Sequence, residues 1–174
     1  MKDVGNGVFF VEQPLLSVAG HEIDFLKEVA KTNPSGKSRL CVHLSTDDTL
    51  HEMLIVHNKD CYVRPHRHFG KAESLHVLEG SADLITFELD GAVKDIIPIA
   101  PYPASFFYRI AEPVFHCLRF HSDPFVFHEA TTGPFRREDS EFAPWSPPEP
   151  DKPAALRFGA WLRRVTKAGE RFSG

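Results

Sequence analysis

Apolar and polar residues alternate along most of the chain, which is the pattern of β-strands. Segments such as RLCVHLS, LHEMLIVHN, SLHVLEG, VFHCLRF and FVFHEA carry this period of two, as strands with one buried face do. About eight such segments follow one another with turns roughly every 8–12 residues. The strongest turn signal is Asp90-Gly91, inside ADLITFELDGAVKDIIPI. The pattern therefore predicts an all-β domain, either a sandwich or a barrel.

Two segments at either end of this series have helical spacing instead. HEIDFLKEVAKTN places Ile23, Leu26 and Val29 on one side, and Asn33-Pro34 follows it, so we expect a short amphipathic helix at about 21–32. AALRFGAWLRRVTKAGERF has apolar residues with basic residues between them. It predicts a C-terminal helix at about 154–168.

The stretch before the C-terminal helix has a different composition. GPFRREDSEFAPWSPPEPDKP is rich in proline and aromatic residues and has no sustained period. Its aromatic residues favour a segment packed across the domain over a free linker. The predicted organisation is an N-terminal segment with a short helix (1–37), a β-domain (38–132) and a tail ending in a helix, packed on that domain or on a partner subunit (133–174).

Composition narrows the possible partners. The 174 residues carry a net charge of −4 without a large block of one sign, so nothing points to nucleic acid or to a membrane surface. No apolar run approaches the roughly 20 residues of a membrane-spanning helix. MKDVGNGVFFVEQPLLSVAG lacks the features of a signal peptide. We therefore expect a cytoplasmic protein.

The three cysteines do not predict a disulfide framework. Cys41, Cys61 and Cys117 are odd in number, and each lies in an apolar, strand-like run. They are interpreted as reduced, buried thiols. The alternative is a reactive or metal-binding Cys117, because it follows His116 directly.

The segment RPHRHFGKAESLHVLEG carries a candidate metal site. His66 and His68 are one residue apart, so on a strand both imidazoles point to the same face. Glu73 follows after Phe-Gly-Lys-Ala, whose length and glycine suit a turn that returns a carboxylate to the two rings. This mixed nitrogen and oxygen set suits one divalent ion: Fe, Mn, Ni, Zn or Co.

A further ligand is expected from a later strand. His116, His121 and His128 all qualify by position. We favour His116, because it lies in the middle of VFHCLRF, where a strand would fix its side chain. A histidine in a loop would have to be ordered at a cost of about 1–2 kcal/mol per backbone residue.

The spacing H66-x-H68-x4-E73-x6-G80 resembles the first signature of the cupin superfamily. The resemblance implies a cupin-type jelly-roll β-barrel. The helical spacing described above adds a short N-terminal helix and a C-terminal extension ending in a helix. It also implies one metal ion held by His66, His68, Glu73 and His116. Asp60 stands where the family usually has a glycine. Cupins commonly dimerise, so a homodimer is expected.

A narrower resemblance is to the WbuC-type cupin metalloproteins. It is carried by RPHRHFGKAES, FHEATTGPF and SEFAPWSPPE, and it covers roughly residues 20–150. Those proteins are often associated with bacterial surface-polysaccharide biosynthesis, which implies a sugar-like ligand. Ala72 replaces a common aromatic residue and Phe115 replaces a usual tryptophan, and these departures bear on the choice of substrate.

Four other residues are candidates for the site. Arg64 shares strand parity with His66 and could meet an anionic group of a substrate; the alternative is a surface ion pair. Lys71 lies beside the ligand turn, and Tyr62 shares the parity of Arg64. Both are possible substrate contacts, although a solvated lysine and a core aromatic residue are the alternatives. His43 lies at a position that is histidine in the family pattern and is a candidate acid–base residue or a buried structural histidine.

Three functions are compatible with these residues. A metal-dependent isomerase or epimerase would act on a sugar or nucleotide sugar, with the metal as Lewis acid. An Fe(II) dioxygenase would use open coordination positions for oxygen. A non-catalytic module would hold a small ligand, such as a carbohydrate, through the metal. The sequence favours the first only slightly.

Overall fold

The computed structural model describes residues 1–173, which form twelve strands, two α-helices and one 3-10 helix. The strands are β1 (Lys2–Asp3), β2 (Val8–Phe10), β3 (Lys37–Cys41), β4 (Leu50–His57), β5 (His66–His68), β6 (Glu73–Glu79), β7 (Ala82–Phe87), β8 (Val93–Ile99), β9 (Phe107–Ile110), β10 (Phe115–Phe120), β11 (Phe125–Thr132) and β12 (Ser140–Phe142). The helices are α1 (Gly20–Thr32) and α2 (Lys152–Leu162), and the 3-10 helix is Arg137–Asp139.

Two sheets face each other with the strand order of a jelly roll. One sheet, called sheet A here, has the order β1-β2-β3-β4-β11-β6-β9, and the other, sheet B, has the order β12-β5-β10-β7-β8. From β4 onward, every connection except the one from β7 to β8 crosses from one sheet to the other. This arrangement of eight core strands confirms the predicted all-β jelly roll.

Apolar residues form three layers around the two sheets. The interior between the sheets contains side chains from both, among them Met53, Leu75, Phe120 and Phe127. A second layer lies between sheet A and α1, and a third between sheet B and α2. The strands that carry the candidate ligands are therefore held on both faces, and alternation along each strand determines which residues face the interior.

The two sheets remain separate in the described part of the chain, so the predicted barrel is a sandwich and not a closed ring of hydrogen-bonded strands. The predicted strand CYVRPHRH is also shorter than expected, because β5 begins only at His66. Pro65 has no backbone N–H to donate to a ladder, which accounts for the late start of the strand. Strands β1, β2 and β12 were not predicted.

The hairpin at Asp90-Gly91 is confirmed. It joins β7 to β8, and Gly91 has a φ of +86°, a left-handed conformation that glycine adopts without a steric penalty. A Cβ on Gly91 would also lie 2.9 Å from the Trp145 side chain, so the tail packs directly on this turn.

Both predicted helices are present, and the C-terminal one has different bounds. Helix α2 begins at Lys152, where the Asp151 carboxylate accepts a hydrogen bond from the backbone N–H of Ala154. It ends at Leu162 and does not continue to residue 168. The Arg119 guanidinium donates to the carbonyl oxygens of Leu162 and Val165, which satisfies acceptors at the end of the helix. Phe158 and Leu162 pack against sheet B; the proposed domain boundaries stay a prediction.

Among residues 1–173, neither α-helix is long and apolar enough to span a lipid bilayer.

Candidate metal centre

Four side chains from three strands meet in the interior between the sheets. His66 and His68 lie on β5, Glu73 begins β6, and His116 lies on β10 directly opposite His66. Each offers one ligand atom, and these four atoms all lie within 4.8 Å of one another. The predicted turn between His68 and Glu73 thus does return the carboxylate to the two rings.

Strand alternation explains why the four side chains converge. On β10, Phe115 and Cys117 face α2, so His116 between them faces the interior. On β6, Leu75 and Val77 belong to the interior layer, and Glu73 shares the parity of both. Glu73 and His116 are 6% and 3% exposed, so an ion held here would be largely shielded from solvent.

Each of the three imidazoles is oriented through its Nδ1 atom. Nδ1 of His66 lies 2.9 Å from the carbonyl oxygen of Arg64, and Nδ1 of His116 lies 2.9 Å from that of Val114. Nδ1 of His68 lies 2.8 Å from the Ser140 hydroxyl. Such hydrogen bonds leave Nε2 as the free ring nitrogen and fix the ring orientation, as is typical of metal-binding histidines.

The carboxylate of Glu73 lies between two of these Nε2 atoms. Its oxygens are 3.2 Å from Nε2 of His68 and 3.2 Å from Nε2 of His116. Burial alone would raise the pKa of Glu73, but the charge on His116 and hydrogen bonds from His116 and His68 lower it overall. Burial, followed by the nearby His116, lowers the pKa of His66 to about 4. An ionised carboxylate and a neutral imidazole are the forms that coordinate a divalent ion.

This donor set fits a divalent cation. Three imidazole nitrogens and one carboxylate oxygen form a borderline ligand set, which suits Fe(II), Mn(II), Co(II), Ni(II) or Zn(II). The cluster could therefore hold a metal, as was expected from the sequence. The identity of the metal stays open among these ions.

The other candidate ligands lie elsewhere. Nε2 of His121 is 2.8 Å from the Asp83 carboxylate, and Nε2 of His128 is 3.5 Å from the Glu52 carboxylate. Cys117 is buried on the α2 side of β10, and burial strongly raises the pKa of its thiol. A protonated thiol on the opposite face cannot join the cluster, which agrees with the interpretation of Cys117 as a core residue.

The two candidate substrate contacts that precede β5 are bound to the tail. The Arg64 guanidinium donates to the Ser146 hydroxyl and to the carbonyl oxygens of Ala143 and Ser146. Tyr62 packs against Phe158 in α2 and donates to a tail carbonyl oxygen. The structure thus places Tyr62 on the side of α2, and contact of either residue with a substrate stays a prediction.

Lys71 and His43 also make contacts within the protein. The ammonium of Lys71 donates to the carbonyl oxygens of Thr132 and Pro134. His43 follows β3, and its Nδ1 lies 3.1 Å from the carbonyl oxygen of Glu52. Because β4 and β11 separate β3 from β6, His43 is roughly 14 Å from Glu73 across the sheet at the usual strand spacing. Its acid–base role stays a prediction.

Three further residues at the site were not singled out from the sequence. Ser140 orients His68, as described above. Glu129 shares the parity of Phe127 and therefore faces the interior, and the Tyr108 hydroxyl lies 3.5 Å from a Glu73 oxygen. Burial, followed by the charge on Glu73, raises the pKa of Glu129 to about 8. The alternation in FVFHEA could have identified Glu129, whereas nothing in the proline-rich tail distinguishes Ser140.

Comparison with known proteins supports the fold. Protein SO0799 from Shewanella oneidensis superimposes with a TM-score of 0.55 at 10% identity, over 83% of this chain and 96% of that one. The jelly-roll strand order and this similarity decide the fold. It is a jelly roll of two facing sheets. Cupin-superfamily proteins are also among the other solved structures with detectable similarity.

Two of these cupin structures have lower scores. A sugar phosphate isomerase of the cupin superfamily from Silicibacter pomeroyi has a TM-score of 0.46 at 18% identity, over 58% of this chain and 63% of that one. This chain thus spans less than two thirds of its length. A cupin-2 domain from Rhodospirillum rubrum has a TM-score of 0.48 at 17% identity, with 74% and 72% covered.

Family-level comparison gives no function. Residues 19–99 match a family model described as a domain of unknown function (DUF6016). No curated protein matches the chain.

Proposed function

We propose that the protein is a metal-dependent enzyme that acts on a small polar molecule, with a sugar or nucleotide sugar as the substrate class and isomerisation or epimerisation as the reaction. One observation carries the proposal: the convergence of His66, His68, Glu73 and His116 within 4.8 Å. A divalent ion that takes more than four ligands would keep open positions here for a substrate or water, whereas structural sites are usually closed.

The buried position of the cluster suits catalysis. A divalent ion here would supply a Lewis acid that polarises a substrate oxygen. His66, His68 and His116 would hold the ion through Nε2, with their Nδ1 atoms bonded to the protein. Glu73 would contribute the negative charge, and the sheets on either side would exclude most water and so strengthen electrostatic interactions at the site.

The sugar part of the proposal has a weaker basis. It rests on the resemblance of RPHRHFGKAES and SEFAPWSPPE to the WbuC-type metalloproteins and on their association with polysaccharide biosynthesis. Fold similarity alone does not determine function. An Fe(II) dioxygenase and a carbohydrate-binding module are the alternative functions, and the following test distinguishes them from the proposed one.

The test is proton exchange with solvent. The protein loaded with Mn(II) or Zn(II) is incubated with candidate sugars in deuterated water, and deuterium at carbon is followed by NMR. We expect metal-dependent exchange that stops after chelation and in His116→Ala. Oxygen consumption by the Fe(II)-loaded protein without exchange would indicate the dioxygenase. Saturable binding with neither signal would indicate the binding module.

A further inference from the structure

Two rows of inward-facing residues cross sheet A beside the cluster. In the row of Glu73, the paired positions on neighbouring strands are Ile110, Thr131 and His51. In the next row, Glu129 is paired with Met53 on one side and with Leu75 on the other. Met53 is in turn paired with Cys41, and Leu75 with Tyr108. Neither row contains a lysine or an arginine. Each row contains one glutamate.

Three basic residues near β5 are bound to other groups of the protein, whereas Arg136 and Arg137, which precede β12, are exposed. Arg64 donates its hydrogen bonds to the tail, and Lys71 donates to two carbonyl oxygens. The Arg67 guanidinium lies 2.6 Å from the Glu141 carboxylate and stacks between the rings of Phe69 and Phe115. None of these three cations is therefore free to neutralise a phosphate group.

Among the basic residues on the strands of sheet A, Arg39 occupies a position that alternation directs toward the interior. It lies opposite Ile55, one row further from Glu73 than the row of Glu129, and its side chain is exposed. An anionic ligand beside the cluster would thus meet Glu73 and Glu129 before it met Arg39.

Glu129 has acceptor oxygens without a basic partner. No lysine, arginine or histidine lies within 4 Å of its carboxyl group in the described chain. Buried polar groups are normally satisfied, so a ligand that donates a hydrogen bond to Glu129 would complete this surface.

We propose that the interior beside the cluster takes an uncharged, hydroxylated ligand, an unphosphorylated sugar, and that Glu129 accepts a hydrogen bond from one of its hydroxyl groups. This inference rests on the proposed function and narrows its substrate class, because phosphorylated sugars and nucleotide sugars carry an anionic group for which these rows offer no cation.

The experiment compares matched ligands on the Zn(II)-loaded protein. Glucose, mannose, galactose and fructose are tested against their 6-phosphates and inorganic phosphate by saturation-transfer NMR, and zinc content is measured on the same samples. We expect at least one free hexose to bind about tenfold or more tightly than its phosphate. Glu129→Leu should weaken that binding by about tenfold while zinc content is kept, because it removes the acceptor and a lost hydrogen bond is worth about that factor.

Glu52→Leu is the matched control, since Glu52 lies on the neighbouring strand and contacts His128 outside the cluster. It should bind the hexose as the wild type does. Equal or tighter binding of the phosphates, no binding of any free hexose, or unchanged binding in Glu129→Leu would overturn the inference. Phosphate binding that Arg39→Gln removes would do so as well. A wild-type protein that binds no zinc would overturn the proposed function as well. A zinc-loaded protein that gives one of the contrary ligand results would overturn this inference alone.

Discussion

At the residue scale, the cluster depends on groups that are not ligands themselves. Two of the three imidazoles are oriented by the backbone carbonyl oxygen of the residue two positions earlier in the chain. These residues are Arg64 for His66 and Val114 for His116. His68 is oriented by a side chain, the Ser140 hydroxyl at 2.8 Å. A side chain can be removed by substitution, whereas a carbonyl cannot, so His68 is where this orientation can be tested.

Ser140→Ala is expected to lower metal affinity by about tenfold, because partners of this kind typically contribute that factor or more. The fold should be unaffected, since only a hydroxyl group is lost. Competition with a chelating dye measures the affinity for Zn(II). Ser35→Ala, at an exposed site, is the control, and equal affinity in both variants would contradict this role for Ser140.

His57 makes a different prediction, about pH and stability. Its Nδ1 is buried without a hydrogen-bond partner, and burial lowers its pKa to about 3. The unfolded chain binds a proton at this residue below about pH 6.5, but the folded protein does so only near pH 3. The free energy of unfolding should therefore decrease as the pH falls through this window.

His57→Leu should remove part of that decrease. The measurement is urea unfolding at about pH 7 and about pH 5, within the window in which the two states differ in bound protons. His76→Leu, at an exposed position on β6, is the matched control. If His57→Leu loses as much stability between the two pH values as the wild type, the account of His57 is wrong.

At the element scale, the tail adds a strand to sheet B, which carries the three histidines of the cluster. Strand β12 pairs with β5, which places Phe142 opposite His66 and Ser140 opposite His68. The sequence could predict the core strands and both helices, because their apolar periods are sustained. It could not predict β12, because SEF is too short to show a period and its partner is distant along the chain.

One arginine connects helix α2 to sheet B in addition to the apolar contacts of Phe158 and Leu162. Arg119 on β10 pairs with the buried Asp83 carboxylate and also donates to the carbonyl oxygens of Leu162 and Val165. A buried charge that loses its partner is strongly destabilising. Arg119 thus connects the core of sheet B to the end of the tail.

Arg119→Met is expected to reduce the free energy of unfolding by about 3 kcal/mol, because Asp83 would stay buried without its main cation. Guanidinium unfolding followed by circular dichroism measures this change. Arg157→Met, on the exposed side of α2, is expected to have little effect. Similar stability of the two variants would show that Arg119 does not anchor the helix.

At the scale of the whole molecule, the jelly roll brings together residues that are far apart in the chain. The pair His66 and His68 could be identified from spacing alone, and His116 from its mid-strand position. The interior row with Glu129 and Tyr108 could not be predicted from the sequence, because it depends on the register of five strands. No local sequence pattern contains that register. The expected homodimer stays a prediction.

The most direct measurement of the central claim is the metal content per chain. The wild type, His116→Ala and His76→Ala are equilibrated with Mn(II), Fe(II), Co(II), Ni(II) and Zn(II), dialysed, and measured by elemental analysis. The cluster predicts about one divalent ion per chain in the wild type and in His76→Ala, and much less in His116→Ala with the fold intact. A wild type that retains no ion, or a His116→Ala variant that retains as much as the wild type, would contradict the account.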